Sequence, residues 1–216
     1  MICKIISKED IRMNTSGPVA AILLASGFSR RFGRKNKLLV PFRGKPLARY
    51  TLELAADSAE ASLKFAGGIF FVAASDDTAA LAGDFPLVKV IRNEAPEKDI
   101  RESVRLGILA AAPECEYYIF FHCDEPLLDA ATVQRILDAR RPGFIVEPRY
   151  RNRPGNPCLF SAFFRDELLS LGEEETPMLI KARYPEAVIH VPVSEPLILE
   201  DIDDEETLKW LEDAKP

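Results

Sequence analysis

A loop rich in glycine and positive charge is the feature of this chain with the clearest capacity for chemistry. It follows the apolar run 19–25, and its five arginine and lysine side chains fall within eight residues. Glycines let the backbone approach an anion closely, and cationic groups with a nearby hydroxyl bind and neutralise phosphate oxygens. The pattern predicts a phosphate-binding loop, and a solvated basic loop is the alternative. The residues concerned are Gly27, Ser29, Arg30, Arg31, Gly33, Arg34, Lys35 and Lys37.

A carboxylate forms the second part of the predicted chemistry. Asp124 follows the apolar run 117–122, which has the composition of a buried strand. Because parallel strands end at the same edge of a sheet, this carboxylate should face the basic loop. A short aspartate at the end of a rigid strand suits a divalent cation that is bound to phosphate oxygens. A turn or helix cap before Pro126 is the structural alternative.

The overall composition restricts the partners of the chain. Its 216 residues carry a formal net charge of −6, which argues against nucleic acid or an anionic membrane as a partner. The four cysteines show no zinc spacing, and the two histidines do not supply a transition-metal site by pattern. We interpret His122, inside an apolar run, as a core histidine. The chain shows no targeting signal and no long apolar window, so we expect a soluble, cytoplasmic protein.

Apolar runs alternate with helical patterns along the chain. This alternation predicts a mostly parallel sheet that is covered by helices on both faces. The predicted strands are 19–25, 69–74, 87–91, 117–122, 143–147, 157–161 and 187–193. The predicted helices lie near 46–62, 76–82, 101–112, 129–140, 162–171, 175–184 and 204–213.

The first apolar run and its basic loop resemble the signature of the MobA-like nucleotidyltransferases, which join a nucleotide to molybdopterin. The dinucleotide-binding Gly-x-Gly-x-x-Gly pattern fails because Ser29 stands at its second glycine, and no P-loop can be written around Gly44. The signature positions met here are Leu24, Ala25, Gly27, Ser29, Arg31, Gly33, Lys37, Leu38, Leu39, Gly44, Lys45 and Pro46.

The resemblance implies a fold and a reaction. The fold is a Rossmann-like three-layer α/β/α domain of the nucleotide-diphospho-sugar transferase type, over residues 19–216, with 1–18 as an N-terminal extension. The reaction transfers CMP from CTP, or a nucleotide from GTP, to the phosphate of molybdopterin, with Mg²⁺ and release of pyrophosphate. A sugar or polyol phosphate acceptor, or a non-catalytic accessory that delivers cofactor to a molybdoenzyme client, is the alternative. The closest branch is the cytidylyltransferases of the molybdenum cofactor.

The resemblance also assigns metal ligands. The family segment Gly-Asp-x-Pro-Leu corresponds to 123–127, where the aspartate is Asp124 and Cys123 replaces the glycine. The family's C-terminal Asp-Ile-Asp segment corresponds to the acidic run 199–206, and it makes Asp203 the first and Asp201 the second candidate for completing the magnesium site. Acidic residues also favour a helix N-terminus, so a capping role is the alternative.

Two further segments resemble substrate-binding elements of the family. Ser103 and Gly107 match a Ser-Val-x-x-Gly element that contacts the nucleotide, and an ordinary helix start is the alternative. The segment 153–160, which contains Asn156, resembles the Gly-x-Pro-x-Leu-Phe element beside the acceptor in the cytidylyl branch. Together with residues 36–39, this segment favours CTP over GTP as the donor nucleotide. The catalytic residues implied are Arg31, Lys37 and Asp124, and the nucleotide-binding residues are Leu24, Ala25, Gly27, Ser29, Arg31, Lys37, Ser103 and Asn156.

Overall fold

A computed structural model describes residues 17–27, 32, 36–56 and 64–214. Strands and helices alternate along these residues, and a short 3₁₀ turn, Lys37–Leu39, follows the basic loop. The strands are β1 Val19–Ala25, β2 Pro41–Phe42, β3 Lys45–Pro46, β4 Gly68–Ala73, β5 Val88–Arg92, β6 Tyr117–His122, β7 Ile145–Tyr150, β8 Arg153–Pro154, β9 Cys158–Ser161 and β10 Val188–Pro192. The helices are α1 Leu47–Ala56, α2 Asp76–Ala80, α3 Asp99–Ala110, α4 Ala130–Asp138, α5 Arg165–Leu169, α6 Pro177–Arg183 and α7 Glu205–Asp213.

The main sheet has the strand order β10-β7-β9-β6-β1-β4-β5. Its strands run parallel except β9, which is antiparallel to both β6 and β7, and the short β8, which pairs with β7. The prediction of a mostly parallel sheet is therefore confirmed. The register of β1 and β6 sets Leu24 opposite His122, so these two strands end side by side. The residues that follow β1 and those that follow β6 therefore lie at the same edge of the sheet.

The core occupies both faces of this sheet because side chains of β1 alternate between them. Ala21 and Leu23 belong to one cluster, which includes side chains of α1 and α4, whereas Ala20 and Ile22 belong to a second cluster, with side chains of α3 and α5. Three layers result, as predicted from the alternation of strand and helix patterns. None of the helices in the described residues is long and apolar enough to cross a membrane.

One glycine sets how closely a helix approaches the sheet. A Cβ placed on Gly107 of α3 would lie 2.3 Å from Cγ2 of Ile22 on β1. Only a residue without a side chain fits this contact without a shift of the strand or the helix. The helix start that carries Ser103 is therefore held close to the end of β1.

Some predicted elements differ in extent from the observed ones. The region predicted as one helix over 162–171 contains a 3₁₀ turn, Ala162–Phe164, followed by the shorter α5. The hairpin of β2 and β3 was not predicted, since strands of two residues leave no periodic pattern. Its turn places Arg43 and Gly44 at φ values of 44° and 90°. This turn contains the glycine of the Gly-Lys-Pro part of the signature.

Candidate active site

A cavity of about 330 Å³ opens where β1 and β6 end. Its wall is built from the ends of these two strands, the 3₁₀ turn after the basic loop, and the start of α3. Such a position, outside the carboxyl ends of parallel strands, is where open α/β sheets bind ligands. The lining residues are Leu24, Ser26, Gly27, Lys37, Leu38, Pro96, Asp99, Ile100, Ser103, His122 and Asp124.

Lys37, in this wall, bridges two of the predicted acidic residues. Its Nζ lies 2.7 Å from Oδ2 of Asp124 and 2.7 Å from Oδ1 of Asp203. Burial acts to lower the pKa of Lys37, but the two ion pairs outweigh it and the pKa is raised. The ammonium group therefore stays charged, and it neutralises part of the acidic charge around it.

The turn that carries Lys37 is fixed by the residue before it. The side chain of Asn36 accepts a hydrogen bond from the backbone N–H of Leu38 at 3.1 Å. Its Nδ2 donates to Oγ1 of Thr78 at 2.8 Å, which ties the turn to α2. Asn36 thus places Lys37 by local capping and by one contact to a distant helix.

The acidic C-terminal run divides into two roles. The backbone N–H of Ile202 donates to the carbonyl oxygen of Asp124 at 2.9 Å, so the neighbouring Asp203 is held beside Lys37. Asp204 instead caps α7, where its side chain accepts from the N–H of Thr207 at 2.8 Å. The capping alternative therefore holds for Asp204, and a metal-binding role for Asp203 stays a prediction.

Asp201 lies on the outer side of this segment. Its residue surface is exposed, yet partial desolvation, followed by the charges of Asp203 and Asp124, raises the pKa of its carboxyl. Arg153 fixes the segment from the opposite side, because its guanidinium pairs with Glu200 and donates to the carbonyl of Leu199 at 3.1 Å. The acidic run is therefore held by contacts at Leu199, Glu200 and Ile202.

Glu125, which the sequence did not single out, is a buried acid beside Asp124. Its side chain is only 4% exposed, and its Oε1 accepts a hydrogen bond from Nδ2 of Asn156 at 2.7 Å. Burial raises the pKa of Glu125 to about 8, against the effect of this hydrogen bond. Among the described residues, Oε2 of Glu125 and Oδ1 of Asp124 are buried without a hydrogen-bond partner. An acid directly after a strand-end aspartate was the signal available in the sequence.

His122 lies in the wall and not in the core, which corrects the sequence interpretation. It is partly buried and lines the first cavity together with Asp124. Burial lowers the pKa of its imidazole, with Asp124 acting in the opposite direction. Cys123 lies between these two residues, and its side chain points to the opposite face of the strand end. It is 1% exposed and belongs to the hydrophobic core. The replacement of the family glycine by this cysteine thus adds no side chain to the cavity wall.

A second cavity of about 200 Å³ adjoins the first through Leu24, Ile100 and His122, which line both. Its charged group is Lys181, whose Nζ lies 2.7 Å from Oε2 of the buried Glu147. The remaining lining is mostly apolar and includes two phenylalanines and a methionine. The lining residues are Leu24, Ile100, Phe120, His122, Asn156, Cys158, Phe160, Thr176, Pro177, Met178 and Lys181.

Comparison with known proteins identifies the family. A family model described as "MobA-like NTP transferase domain" matches residues 21–187, which is most of the chain. The chain belongs to the MobA-like NTP transferase family. The resemblance found in the sequence is thereby confirmed, and all residues that line the two cavities lie inside the matched region, whereas Asp201 and Asp203 lie beyond it.

A curated protein that is related in sequence to this MobA-like chain is named as an oxidoreductase. "Nicotine blue oxidoreductase" from Paenarthrobacter nicotinovorans is 28% identical over 163 residues, which cover 70% of this chain and 75% of that protein. The name describes that protein's activity, and the relation is too distant to transfer it.

Solved structures show how widely the fold of this MobA-like chain is shared. Rv0371c from Mycobacterium tuberculosis H37Rv is 22% identical, with a TM-score of 0.74 over 92% of this chain and 100% of that one. A nucleotidyl transferase from Methanothermobacter thermautotroptrophicus is 19% identical, with a TM-score of 0.76 over 91% and 96%. The 4-diphosphocytidyl-2C-methyl-D-erythritol synthase from Anaerococcus prevotii is 13% identical, with a TM-score of 0.70 over 95% and 98%. At these identities the likeness establishes the fold, as the sequence predicted.

The predicted site residues of this MobA-like chain fall into three groups. Leu24, Gly27, Lys37, Ser103 and Asp124 line the first cavity, and Asn156 lines the second. Ala25 ends β1 with its side chain in the hydrophobic core, and Asp203 meets the site through Lys37. Ser29, Arg31 and Gly33 lie outside the described residues.

Ser103, a predicted nucleotide-binding residue, has its hydroxyl group positioned by a neighbouring loop. It lies in the first turn and a half of α3 and is 3% exposed, yet it contributes to the cavity wall. Its Oγ accepts a hydrogen bond from Nδ2 of Asn93 at 3.1 Å. The hydroxyl is therefore held in place by the loop that follows β5, and its own proton can be donated to another acceptor.

Proposed function

We propose that this chain transfers a nucleoside monophosphate from a nucleoside triphosphate, preferably CTP, to the terminal phosphate of molybdopterin, with release of pyrophosphate. The observation that carries the proposal is the pairing of Lys37, which lines the first cavity, with both Asp124 and Asp203. A cation and two carboxylates at the end of a parallel sheet suit a metal-bound polyphosphate. Membership of the MobA-like NTP transferase family supports the same reaction type.

The phosphate-binding part of the site is assigned to the loop after β1. Gly27 and Lys37 lie in the first cavity, and Ser29 and Arg31 complete the signature of the same loop. In this proposal their N–H, hydroxyl and cationic groups bind the triphosphate and stabilise the charge that develops on the departing pyrophosphate. Ser103 contributes a hydroxyl from the opposite wall.

The acidic side chains fit a divalent cation. Asp124 offers a buried Oδ1 with no hydrogen-bond partner among the described residues, and Asp203 and Asp201 add oxygen donors beside it. All-oxygen donor sets are those that Mg²⁺ and Mn²⁺ prefer. A manganese complex of Rv0371c has been solved, which supports a divalent ion on this fold. When bound, such an ion polarises the α-phosphate and neutralises its charge.

The transfer itself needs no general base from the protein. A phosphate monoester has a second pKa of about 6 and is largely ionised at neutral pH. An oxygen of the acceptor phosphate attacks the α-phosphorus, the bond between that phosphorus and the bridging oxygen to the β-phosphate breaks, and pyrophosphate leaves. Positioning and charge neutralisation supply the catalysis. His122, whose pKa is lowered by burial, has no proton transfer to perform in this scheme.

The second cavity is the place we assign to the acceptor. It adjoins the first, so an acceptor phosphate at the junction would be close to the α-phosphate of the donor. Phe120, Phe160 and Met178 offer apolar surface to a ring, and Asn156 and Lys181 offer polar groups. The mostly apolar lining favours a pterin over a polyol phosphate, because hydroxyl groups would find few hydrogen-bond partners there.

Two alternatives are supported by other proteins of this fold. The Anaerococcus prevotii synthase supports a cytidylyltransferase with a polyol phosphate acceptor. The name of the Paenarthrobacter nicotinovorans relative supports an oxidoreductase. A non-catalytic accessory that hands the cofactor to a molybdoenzyme client would bind the nucleotide and acceptor without turnover.

One assay separates these functions. Pyrophosphate release should be measured with CTP, GTP and ATP, each against molybdopterin and a polyol phosphate, in the presence of Mg²⁺. We expect release with CTP and molybdopterin and its loss in Asp124→Asn. Release with the polyol phosphate alone would reject the pterin acceptor, and oxidation of a reduced nicotinamide without pyrophosphate release would reject nucleotidyl transfer.

A further inference from the structure

We propose that His122, Asp124 and Glu125 form a binding site for a divalent transition-metal cation such as Mn²⁺, with the imidazole as one ligand. One ligand atom from each side chain can be chosen so that all lie within 4.8 Å of one another. Small side-chain rotations from this spacing would let one ion contact all three groups. The site shares Asp124 with the proposed magnesium-type pair of Asp124 and Asp203 and adds His122 and Glu125 as ligands, and it does not rest on the transfer reaction.

Two buried oxygen atoms point to a cation at this place. Oδ1 of Asp124 and Oε2 of Glu125 are buried, and neither has a hydrogen-bond partner among the described residues. The Glu125 side chain is 4% exposed, so water contributes little to its solvation. A carboxylate in such a position is costly unless a hydrogen-bond donor or a cation meets it. A cation shared by both carboxylates would satisfy both oxygen atoms at once.

The neighbouring contacts fix the two carboxylates so that these oxygens remain available. Asn156 donates to Oε1 of Glu125 at 2.7 Å, which leaves Oε2 as its free ligand atom. Lys37 binds Oδ2 of Asp124 at 2.7 Å, which leaves Oδ1. Hydrogen bonds of this kind behind a ligand carboxylate are the usual support of a metal site. The Lys37 ion pair and the proposed ion therefore use different oxygens of one carboxylate.

His122 decides which cations the site should select. Mg²⁺ favours oxygen ligands and keeps several waters, whereas first-row transition-metal ions also accept imidazole nitrogen, and among them Mn²⁺ combines this with a preference for carboxylate oxygens. His122 is the last residue of β6 and is held by the strand register opposite Leu24. It is also one of the three residues that line both cavities, so the site lies where they meet. The histidine and the glutamate flank the aspartate of the family segment, whose neighbouring positions the resemblance does not assign to metal.

The test uses the full chain, stripped of metal with a chelator and titrated with Mn²⁺ in the absence of nucleotide. Free Mn²⁺ is measured by electron paramagnetic resonance, and pulsed measurements on the bound ion detect coupling to a directly bonded ¹⁴N. We expect one bound Mn²⁺ that shows ¹⁴N coupling, with Mg²⁺ at least ~10-fold weaker as a competitor.

Matched variants show which residue supplies the nitrogen that is bonded to Mn²⁺. We expect His122→Gln to abolish the ¹⁴N coupling and to weaken Mn²⁺ binding by ~10-fold or more, and Glu125→Gln to weaken binding to a similar degree. His190→Gln is the control, because His190 also lies beside a carboxylate, with its Nδ1 3.2 Å from Oε1 of Glu147. This control should bind Mn²⁺ as the parent chain does and keep the coupling.

Several results would overturn the site. Bound Mn²⁺ without ¹⁴N coupling in the parent chain would do so directly, and this measurement does not depend on whether any variant folds. Coupling that persists in His122→Gln, or disappears in His190→Gln, would assign the nitrogen elsewhere. Loss of the first Mn²⁺ in Asp203→Asn, with Glu125→Gln unaffected, would place the ion at the other acid pair. Absence of pyrophosphate release would reject the proposed function and leave these results unchanged.

Discussion

The ammonium group of Lys37 lies 2.7 Å from a carboxylate oxygen of Asp124, and the two side chains are only 11% and 17% exposed. Removing one partner of such a pair leaves a charge that is poorly solvated. In Lys37→Met we expect the free energy of unfolding, measured with urea, to fall by about 2 kcal/mol. Pyrophosphate release should fall by at least ~100-fold, because phosphate charge is no longer neutralised.

Millimolar Mg²⁺ provides the control for this variant. Because the cation would compensate Asp124 and Asp203, it should restore part of the stability of Lys37→Met but little of its activity. An unfolding free energy equal to that of the parent chain would show that the ion pair does not stabilise the fold.

Asp124→Asn tests the carboxylate at the centre of the site. The amide keeps the size of the side chain, and the carbonyl of residue 124 still accepts from the N–H of Ile202. We expect a folded protein, checked by circular dichroism, whose pyrophosphate release is lower by at least ~100-fold. Near-normal turnover in this variant would remove Asp124 from the mechanism.

Asp203 and Asp204 form a matched pair of neighbouring acids with different contacts. Asp204 caps α7, so Asp204→Ala should lower the free energy of unfolding by about 1 kcal/mol and leave turnover near normal. Asp203 meets Lys37, so Asp203→Asn should lower turnover at nearly unchanged stability. The reverse pattern, with the larger loss of turnover in Asp204→Ala, would contradict the division of this acidic run.

Gly107→Ala tests the close packing of α3 on the sheet. The new Cβ would lie 2.3 Å from Cγ2 of Ile22, so strand or helix must shift. We expect the thermal midpoint to fall by an amount that corresponds to about 2 kcal/mol of unfolding free energy. Gly27→Ala is the control, because its Cβ meets no described atom within 4 Å, and its unfolding should change little. Equal stability of the two variants would contradict the contact.

The Cys158 thiol should show a distinctive pH dependence. Burial raises its pKa to about 11, above the ordinary value for a thiol, so the reactive thiolate is scarce at neutral pH. The rate of alkylation by iodoacetamide, followed by peptide mass spectrometry, should rise about tenfold per pH unit from pH 7 to 10. Because Cys158 lines the second cavity, molybdopterin should slow the reaction. A rate that levels off near pH 8 would contradict the raised pKa.

The fold and the location of the site could be predicted because they rest on local patterns. The apolar runs that become β1 and β6 are continuous in the sequence, and parallel strands necessarily end at one edge. Asp124 therefore falls beside the loop after β1 without any knowledge of distances. The same argument located Ser103 at the cavity, since it lies near the start of a predicted helix, whereas Lys37 was placed there by the basic loop and the family signature.

The side-chain pairings could not be predicted in this way. Lys37 was expected to bind phosphate, and its ion pairs with Asp124 and Asp203 depend on a C-terminal segment that returns to the site through one backbone hydrogen bond. His122 was interpreted as core because its strand is apolar, although the last position of a strand opens to the sheet edge. The burial of Glu125 depends on Asn156, which is remote in the sequence.

The small number of residues that the two cavities share has an evolutionary consequence. Among the described residues that line them, only Leu24, Ile100 and His122 belong to both. Under the proposed function, substitutions around Phe160 and Lys181 would therefore change the acceptor while the binding of the polyphosphate stays unchanged. Divergence of this kind would let one ancestral scaffold give rise to enzymes with unrelated metabolic roles.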